Sequence, residues 1–134
     1  MGFGIQTVAM NETIFKNRTK AVALRVIKLV DALPNSRAAD VIGRQLLRSA
    51  TSIGANYRSA CRSRSTPDMI SKLSIVEEES DETLYWLELL ADSKKVAARR
   101  ISALQYEIDE IVSMTVASIK TLRRRSIENP KSKT

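Results

Sequence analysis

The sequence predicts an all-α fold, an antiparallel up-down-up-down four-helix bundle. Three observations predict it. Apolar residues recur at three- and four-residue steps along four long stretches. The breaks between those stretches are a few residues long, which makes successive helices antiparallel neighbours. The 134 residues include only 4 Gly and 3 Pro, which argues against a many-stranded sandwich or barrel. At 43% hydrophobic and 28% charged, the chain has one domain's worth of length and ample apolar surface to bury.

The first helix is predicted over residues 13–33. Phe15, Val22, Val26, Leu29 and Leu33 mark one face, with Val30 alongside, and Pro34-Asn35 stops it. The second spans 37–62, with a stripe of Ile42, Leu46, Ala50, Ile53, Tyr57 and Ala60. Gly54 lies mid-helix, lowers propensity by about 1 kcal/mol relative to Ala, and admits a bend. The third spans 67–93. Ser65-Thr66-Pro67-Asp68 offers a hydroxyl cap, a first-turn proline and an acid at the positive dipole end. Its stripe is Met69, Leu73, Val76, Ser80, Leu84, Leu87 and Ala91. The fourth spans 96–125 on Ile101, Leu104, Ile108, Ile111, Val112, Thr115, Ile119 and Leu122. Residues 1–12 read as a flexible N-terminal segment, and 126–134 as a mobile basic tail. Pro34, Pro67 and the polar break at 93–95 disfavour a single long coiled coil.

Catalytic chemistry is hard to find. The chain contains no His, which removes histidine triads and imidazole-based zinc sites. Cys61 is the single cysteine and reads as a small core residue. The acidic run EEESDE lacks the Glu-x-x-His pairs of di-metal bundles. No Gly-rich phosphate loop is present. The expectation is a non-enzyme with no catalytic residues, no metal and no cofactor. No stretch approaches the ~18 apolar residues of a membrane span, and MGFGIQTVAM lacks the features of a signal peptide. A cytoplasmic protein without membrane contact is expected.

The charge is uneven. The net value is +7, from 22 Lys+Arg against 15 Asp+Glu. From Lys120 onward, Lys120, Arg123, Arg124, Arg125, Lys131 and Lys133 face Glu128 alone. A basic end attracts phosphate through counterion release, and it also complements the negative end of a helix dipole. On the second helix, Arg37, Arg44, Arg48, Arg58 and Arg62 fall within about 80° of arc opposite the apolar stripe, with Thr51, Ser52, Ala55 and Ser59 between them. The third helix is acidic, and Glu78, Asp81, Glu82, Tyr85, Glu88 and Asp92 point away from its core face. Trp86 and Leu89 also lie off the centre of its stripe, as a partner surface would require.

These faces make two sets of candidate residues. For nucleic acid they are Lys120, Arg123, Arg124 and Arg125, then Arg44, Arg48, Arg58 and Arg62. For an oligomer interface they are Arg48, Arg62, Glu78, Asp81, Glu82, Tyr85, Trp86 and Leu89. The arginine stripe of one subunit facing the acidic helix of the next would be a heterologous contact that closes into a ring. Solvated faces, or pairing within one chain between the second and third helices, are the alternatives.

The stretches LLRSATSIGANYRSACRSRS and ISKLSIVEEESDETLYWLELL resemble the four-helix-bundle family encoded in intervening sequences of large-subunit (23S) ribosomal RNA. That family is related to the accessory variability determinant proteins of diversity-generating retroelements. The resemblance covers about residues 13–124, with Arg48 to Ile53, Ala55-Asn56 and the Glu79/Glu82-Leu84 region as its most specific parts. Many members carry Pro where this chain has Gly54. The resemblance implies antiparallel bundles assembled as homopentamers, without a catalytic site. It also implies that the retroelement members bind nucleic acid and dock on a reverse transcriptase. Two functional readings follow: a ring-forming bundle that binds RNA or DNA with little sequence specificity, as in a ribonucleoprotein, or a protein–protein adaptor.

Overall fold

The structure, a computed structural model, describes residues 12–128. Four helices account for almost all of them: α1 (Glu12–Asp31), α2 (Arg37–Cys61), α3 (Thr66–Asp92) and α4 (Ala98–Glu128). No strand occurs among the described residues. The predicted flexible segment lies outside the described residues except for Glu12, which is already helical. The predicted tail begins three residues too early. Ser126, Ile127 and Glu128 continue α4, and Ser126 is buried. Residues 129–134 lie outside the described residues.

Local chemistry sets the helix ends. Ser36 Oγ accepts from the Ala39 amide at 3.0 Å, and Ser65 Oγ accepts from the Asp68 amide at 3.2 Å. Each cap satisfies one orphan donor and contributes about 1 kcal/mol. α3 stops in a Schellman motif. The Lys95 amide donates to the Leu90 carbonyl and the Lys94 amide to that of Ala91, with Lys94 at φ 64°. α2 runs through Gly54 without a break.

The helices bury one continuous core. Phe15, Val22 and Val26 come from α1, Leu46, Ile53 and Tyr57 from α2, Leu73, Val76 and Leu87 from α3, and Ile101, Ile108 and Ile111 from α4. In α3 the buried set differs from the predicted stripe. Thr83 and Leu90 are buried, whereas Leu84 and Ala91 are half-buried. Contacts with both α2 and α4 widen the arc that this helix buries. Thr83 Oγ1 donates to Ser49 Oγ at 2.9 Å, joining α2 to α3 inside the core.

Register follows from the paired residues. Phe15 meets Tyr57 edge to face at 4.4 Å, Thr19 lies against Gly54, and Leu33 against Gly43. Numbers rise along α1 as they fall along α2. Ser49 pairs with Thr83 and Ser59 with Lys72, so α2 and α3 also run in opposite directions. Between α1 and α4, Arg18 binds Glu107 and Glu110, while Arg25 and Leu29 share a groove with Ile101 and Leu104. Between α3 and α4, Asp81 and Glu88 share a groove with Gln105 and Asp109. The α2–α3 connection and the C-terminal turns of α4 therefore occupy the same end of the bundle.

Candidate nucleic-acid interface

Arg37, Arg44, Arg48, Arg58 and Arg62 are all exposed on the outer face of α2, as the helical spacing predicts. The fold divides this row into two halves. In the N-terminal half, Arg44 pairs with Asp40 one turn back. Arg48 reaches across to α3, binding Glu79 Oε2 at 3.3 Å and Glu82. The indole N–H of Trp86 donates to the same Glu82 oxygen at 3.1 Å. The Trp86 bond, and then the Arg48 bond, hold the Glu82 carboxyl below its ordinary range, and these carboxylates raise the Arg48 guanidinium. Glu79 Oε1 is buried. It has Arg48 Nη2 as an ionic neighbour at 3.3 Å but no aligned donor.

Arg48 is therefore engaged within its own chain, which is the internal pairing that the sequence left open as an alternative. Of the other candidate interface residues, Glu78, Asp81 and Tyr85 are exposed on α3, and Glu82 and Leu89 are half-buried. Trp86 is half-buried and packs on the edge of the core, with its ring 5.0 Å from that of Tyr85.

The C-terminal half of the row is different. Arg58 and Arg62 have no ion pair among the described residues. They lie at the end of the bundle where α4 finishes. There Lys120, Arg123 and Arg124 are exposed and Arg125 is half-buried. Arg124 stands 3.9 Å from Glu128, a loose pair on the surface. Arg64 in the α2–α3 connection is also exposed. Lys72 donates to Ser59 Oγ at 3.0 Å, with Asp68 3.9 Å away. The two groups of basic residues, distant in sequence, share one end because the chain reverses at each connection.

The sequence does not nominate Lys16 and Lys20 of α1, yet they face Arg58 across the α1/α2 seam. Their four-residue spacing is legible, but nothing local says which edge of α1 meets α2. A larger hollow of about 590 Å³ under the α1–α2 turn mixes Asp31 and Asp40 with Arg37 and Arg44. Its balanced charge does not select for anions.

Cys61 is buried, and burial pushes its thiol up, away from the reactive thiolate form. Among the described residues, no group of three or more Cys, Asp or Glu is placed to hold a metal ion. No described helix is long and apolar enough to cross a membrane.

Comparison with known proteins places this architecture. No curated protein matches the chain. A crystal structure from Bacteroides thetaiotaomicron VPI-5482, described as a protein with unknown function from the S23 ribosomal protein family, is similar at 35% identity and a TM-score of 0.77. The match covers 83% of this chain and 99% of that one. The pattern of a known family spans residues 11–117, which include α1, α2, α3 and most of α4. The chain belongs to the 23S rRNA-intervening sequence protein family.

Proposed function

We propose that this protein is a non-enzymatic, up-down-up-down antiparallel bundle that assembles as a homo-oligomeric ring and binds RNA or DNA through its basic end. The observation that carries the reading is the gathering of Arg58, Arg62, Arg64, Lys120, Arg123 and Arg124 at one end, where Glu12, Asp68 and Glu128 are the opposing acids and Glu12 is paired with Lys16. Among the described residues the aromatic rings at this end, Phe15 and Tyr57, are buried and not open to base stacking, so such a surface contacts phosphate and reads little sequence. A ring of five, the size the family resemblance implies, repeats the surface and raises avidity without stronger single contacts. The exposed carboxylates Glu78, Asp81 and Glu88 on α3 and the free Arg62 on α2 supply unlike charges for a heterologous contact. The cytoplasm, where ribosomal RNA resides, suits this reading.

Fluorescence anisotropy with RNA and DNA strands across a salt series tests it. Binding that weakens steeply with salt supports it, and a flat response at low salt removes it. Light scattering tests the ring, and a single-subunit mass at high concentration overturns it.

One observation favours a second reading, the adaptor. Leu24, Ile27 and Tyr106 expose apolar surface, with Tyr106 68% exposed. Such surface fits a protein partner. For relatives of the retroelement accessory kind that partner is a reverse transcriptase. Pull-down with a reverse transcriptase, in the absence of nucleic-acid binding, supports this second reading.

A further inference from the structure

The seam between α1 and α2 opens into a groove of about 370 Å³ lined by Lys16, Lys20 and Arg58 above Thr19, Ala23 and Gly54. We infer that this groove seats the phosphodiester backbone of a nucleic acid, held by Lys20 and Arg58. The inference rests on the nucleic-acid reading above and names where the strand lies.

The floor is kept low by close approach of the helices. A Cβ at position 54 would stand 3.2 Å from Thr19 Oγ1, a tight contact that glycine avoids where α2 passes α1. The floor hydroxyls are already used. Thr19 Oγ1 donates to the Lys16 carbonyl at 3.1 Å, and Thr51 Oγ1 to that of Leu47 at 2.8 Å. Lys16 is tied to Glu12 at 2.9 Å. That leaves Lys20 and Arg58 as the groove cations without an ion pair among the described residues. No carboxylate lines the groove. An entering anion therefore meets two cations with no acceptor competing for them. Arg62 continues the line one turn on, about 6 Å along the helix.

Charge favours an anionic strand over a second copy of this chain, whose net charge is +7. Lys16 to Ala23 spans about 10 Å of seam, and the groove offers cations and no carboxylate along it. The small side chains of the floor let phosphates sit level with the two cations.

The test compares two double variants of equal charge loss. Lys20→Ala with Arg58→Ala empties the groove of its free cations. Lys28→Ala with Arg37→Ala removes the same charge at the other end of the bundle. Anisotropy is measured with a ~20-nucleotide strand, as RNA and as DNA, between about 50 and 200 mM salt, with circular dichroism melts to verify folding. The groove variant is expected to bind both strands about tenfold more weakly at low salt, with the slope of log affinity against log salt reduced by about 1.4. The distal variant is expected to stay within about twofold of the parent. Equal losses in both variants overturn the groove, because only the overall field then matters. A groove variant that binds normally but shows a smaller mass in light scattering also overturns it. In that case the seam seats a second copy, and the nucleic-acid reading survives. A parent protein that binds neither strand overturns both readings.

Discussion

Arg18 and Glu107 form a two-pronged ion pair between α1 and α4, with Nε–Oε2 and Nη2–Oε1 both at 2.8 Å. Glu110 accepts from the same guanidinium at 3.3 Å, and Met114 Sδ lies 3.3 Å from Nη1. Both pair members are about three-quarters shielded. The Arg18 bond holds the Glu107 carboxyl below its ordinary value of 4.5. A depressed carboxylate adds stability above its unfolded pKa and loses it as pH falls through the folded one. Glu107→Gln should cost about 1 kcal/mol at neutral pH, after discounting for the water that reaches the pair. That gap should close below pH 4.5. Denaturant titrations of both proteins from neutral pH into acid measure the difference.

Gly43 and Gly54 should respond differently to alanine. In a helix interior, Gly→Ala favours folding by about 1 kcal/mol when space allows. A Cβ at 43 meets Leu33 Cδ1 at 3.0 Å, the far end of a half-buried flexible side chain. A Cβ at 54 meets Thr19 Oγ1 at 3.2 Å and Thr19 Cβ at 3.5 Å, on a buried β-branched residue with little room to turn. Gly43→Ala should raise the melting temperature. Gly54→Ala should lower it or leave it unchanged, and Gly54→Leu should lower it by the equivalent of about 2 kcal/mol. Thermal melts decide the order.

Lys94 occupies the left-handed position of the α3 C-terminal motif at φ 64°. A side chain there costs about 1 kcal/mol that glycine avoids. Lys94→Gly should therefore stabilise the protein by about that amount, despite glycine's greater freedom in the unfolded chain. Chemical denaturation with an unchanged slope would verify it.

Tyr57 is fully buried against Phe15, and its hydroxyl has no hydrogen-bond partner among the described residues. Burial pushes its phenol upward, with the Cys61 thiol as a second influence that does not reach hydrogen-bond geometry. Tyr57→Phe keeps the ring contact and removes the unsatisfied oxygen. It should stabilise the fold by about 1 kcal/mol, as read by equilibrium unfolding.

Much of this molecule is written in local pattern. The caps at Ser36 and Ser65 and the faces carrying Leu46, Leu73 and Ile108 depend on neighbours within a turn or two, so a sequence displays them. The same holds for the outward arginines of α2. Partners between helices are not displayed, because contact distance is unrelated to distance along the chain. The Arg18–Glu107 pair joins residues 89 apart, and Arg48–Glu82 joins residues 34 apart. Gly54 looks locally like a weak point, and only the approach of Thr19 shows that a side chain there would be crowded.

By itself, the sequence determined four amphipathic helices, their short connections and an excess of positive charge toward the C-terminus. Periodicity and capping are short-range effects, and composition is additive. Only the tertiary structure decided which cations remain free. Packing α2 against α3 gave Arg48 two carboxylates, while Arg58 and Arg62, at the other end of the same row, found none among the described residues. Charge becomes available to a partner where folding leaves it uncompensated, and that is a property of three-dimensional neighbours.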